Sequence, residues 1–269
     1  MTTRRVGTER PPALVLVLAA ITALFFALPF VGMLWRIPWG SVLDVVREPA
    51  IRTALWLSIR TSLASTALSL VFGVPLAWVL ARVGFPGRGV VRALCTLSMV
   101  LPPVVAGTAL FFALGRNGLF GQWLDRWFEF QLPFTIWGVI VAQTFVAMPF
   151  LVLTVEAALR QFDGRFEEAA RTLGASRWYA FRRVTLPAIR PGLVAGGVLA
   201  WARALGEFGA TITFAGNYPG TTQTMPLATY VELNTDPERA LVMSLILVVV
   251  SFAVLIGLRD RWLGPAGAA

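Results

Sequence analysis

The sequence predicts an all-α integral membrane protein of about six transmembrane helices, on three observations. Of its 269 residues, 57% are hydrophobic and only 14% charged, with a mean hydropathy of +0.73. Soluble domains carry roughly 25% charge, so this chain belongs to another class. The apolar residues are gathered into long charge-free intervals, and the arginines collect in particular gaps between them.

Composition also removes whole chemistries. All 23 cationic residues are arginine, and neither lysine nor histidine occurs. A Walker A phosphate loop needs its lysine, a serine triad needs a histidine base, and zinc hydrolases draw on histidines. Cys95 stands alone in an apolar stretch, so no intrachain disulfide is possible and it reads as a small hydrophobe. No catalytic residue, metal ligand or cofactor-binding residue is expected. A net charge of +9 on so apolar a chain points to arginine excess at the inner ends of membrane helices, and no nucleic-acid partner is expected.

A bilayer core about 30 Å thick takes roughly 20 helical residues, so the charge-free intervals serve as a ruler. Five fit: 11–35, 61–81, 93–115, 130–155 and 240–258. A sixth, 191–215, is interrupted by Arg203 and Glu207. The first follows Arg4, Arg5 and Arg10 in the manner of a signal peptide. Its 25 uncharged residues exceed a usual signal core and no clear small-residue cleavage site ends it, so a retained helix is expected. With both termini cytoplasmic, the inner pieces 1–10, 82–92, 156–190 and 259–269 carry 15 of the 23 arginines, and the outer loops and their edges seven. That bias agrees with the positive-inside rule, and the whole chain, 1–269, reads as a single transmembrane domain. Pro29, Pro75 and Pro149 either bend their helices or are simply tolerated, whereas the adjacent Pro102 and Pro103 read as a deliberate helix break.

The connection 156–190 is about 35 residues long and strongly charged. Asp163 is a plausible N-cap, after which Phe166, Ala169, Ala170 and Leu173 fall at i, i+3, i+4 and i+7 on one helix face. Gly174 follows, where a left-handed cap places glycine, and a second short helix from Ser176 to about Arg183 leads to Leu186 and Pro187. Two readings stay open on pattern alone. An amphipathic hairpin on lipid headgroups would suit Arg177, Arg182, Arg183, Trp178 and Tyr179. A helix offered to a groove on a soluble partner would use small Ala169 and Ala170 for close approach. Glu167 and Glu168 favour the second, because an acidic pair gains nothing against an anionic leaflet.

At these residues a resemblance appears. Glu168-Ala169-Ala170, three residues, Gly174, nine residues and Val184-Thr185-Leu186-Pro187 resembles the EAA loop of the permease subunits of bacterial ABC importers. The family pattern most often has isoleucine where Val184 stands. The resemblance implies a type I ABC importer permease fold in the bacterial cytoplasmic membrane. It also implies that Glu168, Ala169, Ala170, Gly174, Leu186 and Pro187 belong to a coupling loop docked on a separate ATPase subunit, where ATP and Mg would be used. The assembly it implies is a homodimer with two ABC ATPase subunits on the cytoplasmic side and an extracytoplasmic binding protein.

The likeness covers roughly residues 50–260. Ala204 to Thr211, Phe214 to Asn217 and Thr222 to Ala228 look like the molybdate permease group. Sulfate permeases share the Gly206 to Gly209 style of segment, while Gly216 to Leu227 favours molybdate, with tungstate inseparable by size and charge. Arg203 and Glu207, four apart on one helix face, are a functional hypothesis by default because ionisable groups are costly within a span. They either line a translocation path or gate, or neutralise one another and fasten this helix to a neighbour. Thr211, Thr213 and Asn217 offer uncharged donors to a weak oxyanion path. An ion-coupled secondary carrier would be expected to show several intramembrane carboxylates, where Glu207 is the only obvious one. A membrane-embedded enzyme would lack residues to work with.

Overall fold

The computed structural model describes residues 12–257, and the terminal pieces 1–10 and 259–269, expected on the inner side, lie outside the described residues. The elements, all helical, run in order as α1 (Ala13–Arg36), α2 (Val42–Arg47), α3 (Pro49–Leu68), α4 (Val74–Arg82), α5 (Arg88–Val100), α6 (Pro103–Leu114), α7 (Gly121–Phe128) and α8 (Ile136–Gln161). They continue as α9 (Arg165–Thr172), α10 (Arg177–Ala180), α11 (Leu186–Ala188), α12 (Arg190–Leu205), α13 (Gly209–Ala215), α14 (Met225–Thr235) and α15 (Pro237–Gly257). Two π-helical segments, Ser69–Gly73 and Phe181–Thr185, join α3 to α4 and α10 to α11.

Four helices are long and apolar enough to cross a bilayer: Ala13–Arg36, Pro49–Arg82, Ile136–Gln161 and Pro237–Gly257. A fifth arises if Arg177–Ala188 and Arg190–Leu205 are counted together across their 71° bend. Several charge-free intervals therefore do not coincide with helices. The interval 61–81 is part of an unbroken 34-residue helix that starts at Pro49, because an exposed Arg60 does not interrupt backbone hydrogen bonding. Pro75 lacks the N–H that would bond one turn back, and the π segment immediately before it re-spaces the helix there. The interval 93–115 is not one helix: Leu101 and Pro102 are extended, at ψ 133° each, and separate α5 from α6. The interval 130–155 is shifted, since Thr135 caps α8 by accepting from Gly138 N at 3.2 Å and the helix continues to Gln161. Glu156, expected in the loop, is thus a buried helical residue. The interval 191–215 divides at Gly206–Phe208 into α12 and α13.

The central element is α8. Of its most apolar window 61% is buried, against none of α1, and it packs on α3, α4, α5, α12 and α13. Leu80, Leu151, Val155, Leu159, Ala200 and Ala204 form one fully buried cluster across α4, α8 and α12. In a bilayer, lipid tails compete equally for apolar surface, so helices associate through close contact and hydrogen bonds. Gly196 supplies the first: a Cβ there would stand 3.3 Å from the backbone of Leu151. Thr144 supplies the second, its Oγ1 lying within hydrogen-bond distance of Ser65 Oγ at 3.2 Å, and Met225 N donates to the buried Ser58 Oγ at 2.6 Å.

Candidate coupling loop and broken-helix site

The polar hairpin between α8 and α12 is built by local rules. Asp163 Oδ1 accepts from Arg165 N at 3.0 Å, so its carboxylate caps α9 although Gly164 is the boundary residue. Glu167 and Glu168 fill the first turn, where the helix dipole favours negative charge. At the other end Ala175 N donates to Ala170 O and Gly174 N to Arg171 O, each at 3.0 Å. This pair of bonds closes a Schellman turn, and it requires the left-handed Gly174, at φ +90°. Ser176 then caps α10 by accepting from Tyr179 N at 3.2 Å.

The face predicted to be apolar is free. Leu173 is 89% exposed, Phe166 62% and Trp178 68%, while Ala169 and Glu168 are also exposed and Ala170 is half-buried. Ala170, Leu173, Gly174, Ala175, Ser176 and Tyr179 line an open hollow at the hairpin tip. Leu186 is half-buried and Pro187 exposed in α11, just before the chain bends at Ile189.

The hairpin and its anchor helix are held by contacts that the sequence pattern did not reveal. Thr185, fully buried, donates to Glu167 Oε1 at 2.5 Å. Arg82, from the end of α4, donates to Phe162 O at 3.1 Å and lies 3.9 Å from the same Glu167 oxygen. Glu156 is paired with Arg92 of α5 and with Arg160, the latter at 2.8 Å. Only the Glu156 and Arg160 pair was readable in advance, as an i, i+4 spacing.

The second site is the pair of helix breaks. Arg203 and Glu207 form an ion pair; Glu207 is 1% exposed and Arg203 29%. The other Glu207 oxygen accepts from Ala210 N at 2.7 Å, so the carboxylate also caps α13. The breaks touch. A Cβ on Gly209 would fall 2.6 Å from Pro103 Cβ, and one on Gly107 would overlap Thr213 Oγ1 and stand 2.7 Å from Ala210 O. The halves α6 and α13 are therefore packed backbone against backbone beyond Pro102 and Pro103. Thr213 spends its hydroxyl on Gly209 O at 2.8 Å, while buried Thr211 Oγ1 and Asn217 Oδ1 have no hydrogen-bond partner among the described residues.

Apolar helices around a central pillar, two of the expected spans broken at mutual contact, and one exposed hairpin on a long anchor are the features of a membrane-embedded helical protein. The chain belongs to the family of binding-protein-dependent transport system inner membrane components, which it matches over residues 73–266. It is 46% identical over 239 residues to the molybdenum transport system permease protein ModB of Mycobacterium tuberculosis, covering 88% of this chain and 89% of that protein. The sulfate transport system permease protein CysT of Escherichia coli is 38% identical over 203 residues, 76% of this chain and 73% of that one. Among solved structures, a bacterial ABC transporter involved in alginate import matches with a TM-score of 0.68 at 18% identity, covering 94% of this chain and 96% of that one. That last likeness concerns the fold alone.

Proposed function

We propose that this chain is the membrane-spanning subunit of an ATP-driven importer that carries molybdate, with tungstate inseparable from it by size and charge, across the bacterial cytoplasmic membrane. The observation that carries the substrate is the higher identity, over more of the chain, to a molybdenum permease than to a sulfate permease. The energy source is external. The exposed apolar face around Leu173 and Gly174 is the surface offered to an ATPase subunit, whose cycle of ATP binding and hydrolysis moves the hairpin as a rigid body. Two copies of the chain, two ATPase subunits and an extracytoplasmic binding protein complete the assembly. Sulfate is the second reading, supported by the CysT likeness.

Within this reading Arg203 and Glu207 act as a structural pair at the α12–α13 break. An unpaired carboxylate would repel an oxyanion, and Glu207 is neither unpaired nor accessible. The test is uptake by vesicles holding the whole complex. With ATP inside, labelled molybdate should accumulate and a tenfold excess of sulfate should compete weakly. Preferential accumulation of sulfate would replace the substrate, and uptake without ATP would replace the class.

A further inference from the structure

In sequence, the coupling hairpin is continuous with α8 and α12, and these are the two helices expected to follow its motion. The tertiary contacts add a third. The last turn of α4 reaches both arms of the hairpin through two side chains, Arg82 and Trp78. On the first arm, Arg82 donates to Phe162 O, its guanidinium lies 5.8 Å from the Phe162 ring centroid, and Gly164 leaves 3.4 Å to Arg82 Nη1 for an added Cβ. Phe162 stacks on Phe166 of α9 with centroids 6.0 Å apart. On the second arm, Trp78, one turn before Arg82, meets Phe181 edge-on at 6.4 Å, and Phe181 stacks on Trp178 at 5.8 Å. Between the arms, Glu167 Oε1 is shared by the Thr185 hydroxyl and the Arg82 guanidinium.

We propose that Arg82 is a positioning residue that ties the coupling hairpin to the 34-residue α3–α4 helix, so that the partner's power stroke is delivered to that helix as well as to α8 and α12. The inference rests on the reading of the hairpin as the ATPase contact. Its chemistry is specific. Nη2 serves both arms, donating to the Phe162 carbonyl and lying 3.9 Å from Glu167 Oε1, while the flat guanidinium stands over the Phe162 ring as an ammonium would not. Neither Phe162 nor Glu167 lines the hollow at the hairpin tip, so Arg82 acts after docking rather than in it. Arg82 and Glu167 are each about a quarter exposed, which leaves the pair weak as a source of folding stability. Its value is in transmitting displacement: a helix with two arms gripped must move when the arms move, and one gripped by packing alone can slip.

The experiment uses the full complex in vesicles, with import and ATP hydrolysis measured on the same preparation. Arg82→Gln should lower the oxyanion imported per ATP hydrolysed by about tenfold, the range expected for mutations that alter coupling between sites, with the ATPase subunits still co-purifying. Arg82→Lys, which keeps the charge, should recover part of the ratio. Glu167→Gln in the Arg82→Gln background should add little, because the two act through one contact. An unchanged import-to-hydrolysis ratio in Arg82→Gln, or loss of the ATPase subunits from that variant, would overturn the proposal. Leu173→Arg separates this from failure of the docking reading. If that variant still binds ATPase subunits and imports, the hairpin is not the contact; if it does not, while Arg82→Gln behaves as wild type, only the α4 tie is lost.

Discussion

Glu207 carries two duties at one buried position: it neutralises Arg203 and caps α13 through Ala210 N. The two separate by substitution. Glu207→Gln keeps an oxygen for the cap but leaves Arg203 unpaired. Breaking a buried pair costs roughly 3–5 kcal/mol, and the partial exposure of Arg203 puts the expected loss nearer 2 kcal/mol. Arg203→Met with Glu207→Gln should then be more stable than the sum of the single losses predicts, read by thermal unfolding in detergent. Strict additivity would mean that the ion pair contributes nothing. Exchange of the two residues is a poorer test, because an arginine at position 207 cannot accept from Ala210 N. The i, i+4 spacing made the pair legible in the sequence, but the cap was not, since it depends on the helix breaking at Gly206–Phe208. Thr213 shows the reverse case. A hydroxyl that reads as a free donor is bonded within its own helix.

At the scale of elements, α6 and α13 are short helices held together where glycines remove side chains. Gly107→Ala and Gly209→Ala should each destabilise the complex by about 1–3 kcal/mol, the usual cost of overpacking. Neither site can relieve the clash by a side-chain rotation alone, because a methyl at 107 meets the Ala210 backbone oxygen at 2.7 Å and one at 209 meets the Pro103 ring at 2.6 Å. Gly197→Ala in α12, where nothing lies within 4 Å, is the control and should be neutral or slightly stabilising. Equal unfolding temperatures for all three would remove the claim that the broken helices are locked together. The breaks also explain why charge-free intervals were a partial guide to helices. Charge marks where a segment becomes costly in lipid, whereas helices end where capping, proline and packing dictate. Arg60 and Glu156 are charged and helical, while Leu101 is apolar and extended.

At the scale of the whole molecule, the hairpin presents an exposed apolar face centred on Leu173 and a polar back bound to the bundle. Leu173 is 89% exposed, so Leu173→Arg should change folding stability by less than about 0.5 kcal/mol. On the docking reading proposed above, the same change puts a charge into the apolar contact with the ATPase subunit, where burial without a partner is costly. Co-purification of that subunit should fall sharply while the level of the chain in the membrane stays constant. Retained co-purification at wild-type yield would move the contact elsewhere.

Sequence alone determined that the chain is a helical membrane protein, that it has no lysine for a Walker A loop and no histidine, and that the 156–190 connection contains a capped helical hairpin with one apolar face. These follow from composition and from spacings of fewer than ten residues, which local hydrogen bonding obeys. Only the tertiary structure decided that two expected spans are broken and touch at Pro103 and Gly209, that Glu156 is buried between two arginines, and that Arg82 grips the hairpin from another helix. Residues 82 and 167 are separated by four helices, α5 to α8. What joins them is the packing of α4 against α8, and no periodicity along the chain encodes which exposed-looking arginine will meet which glutamate once the helices have closed.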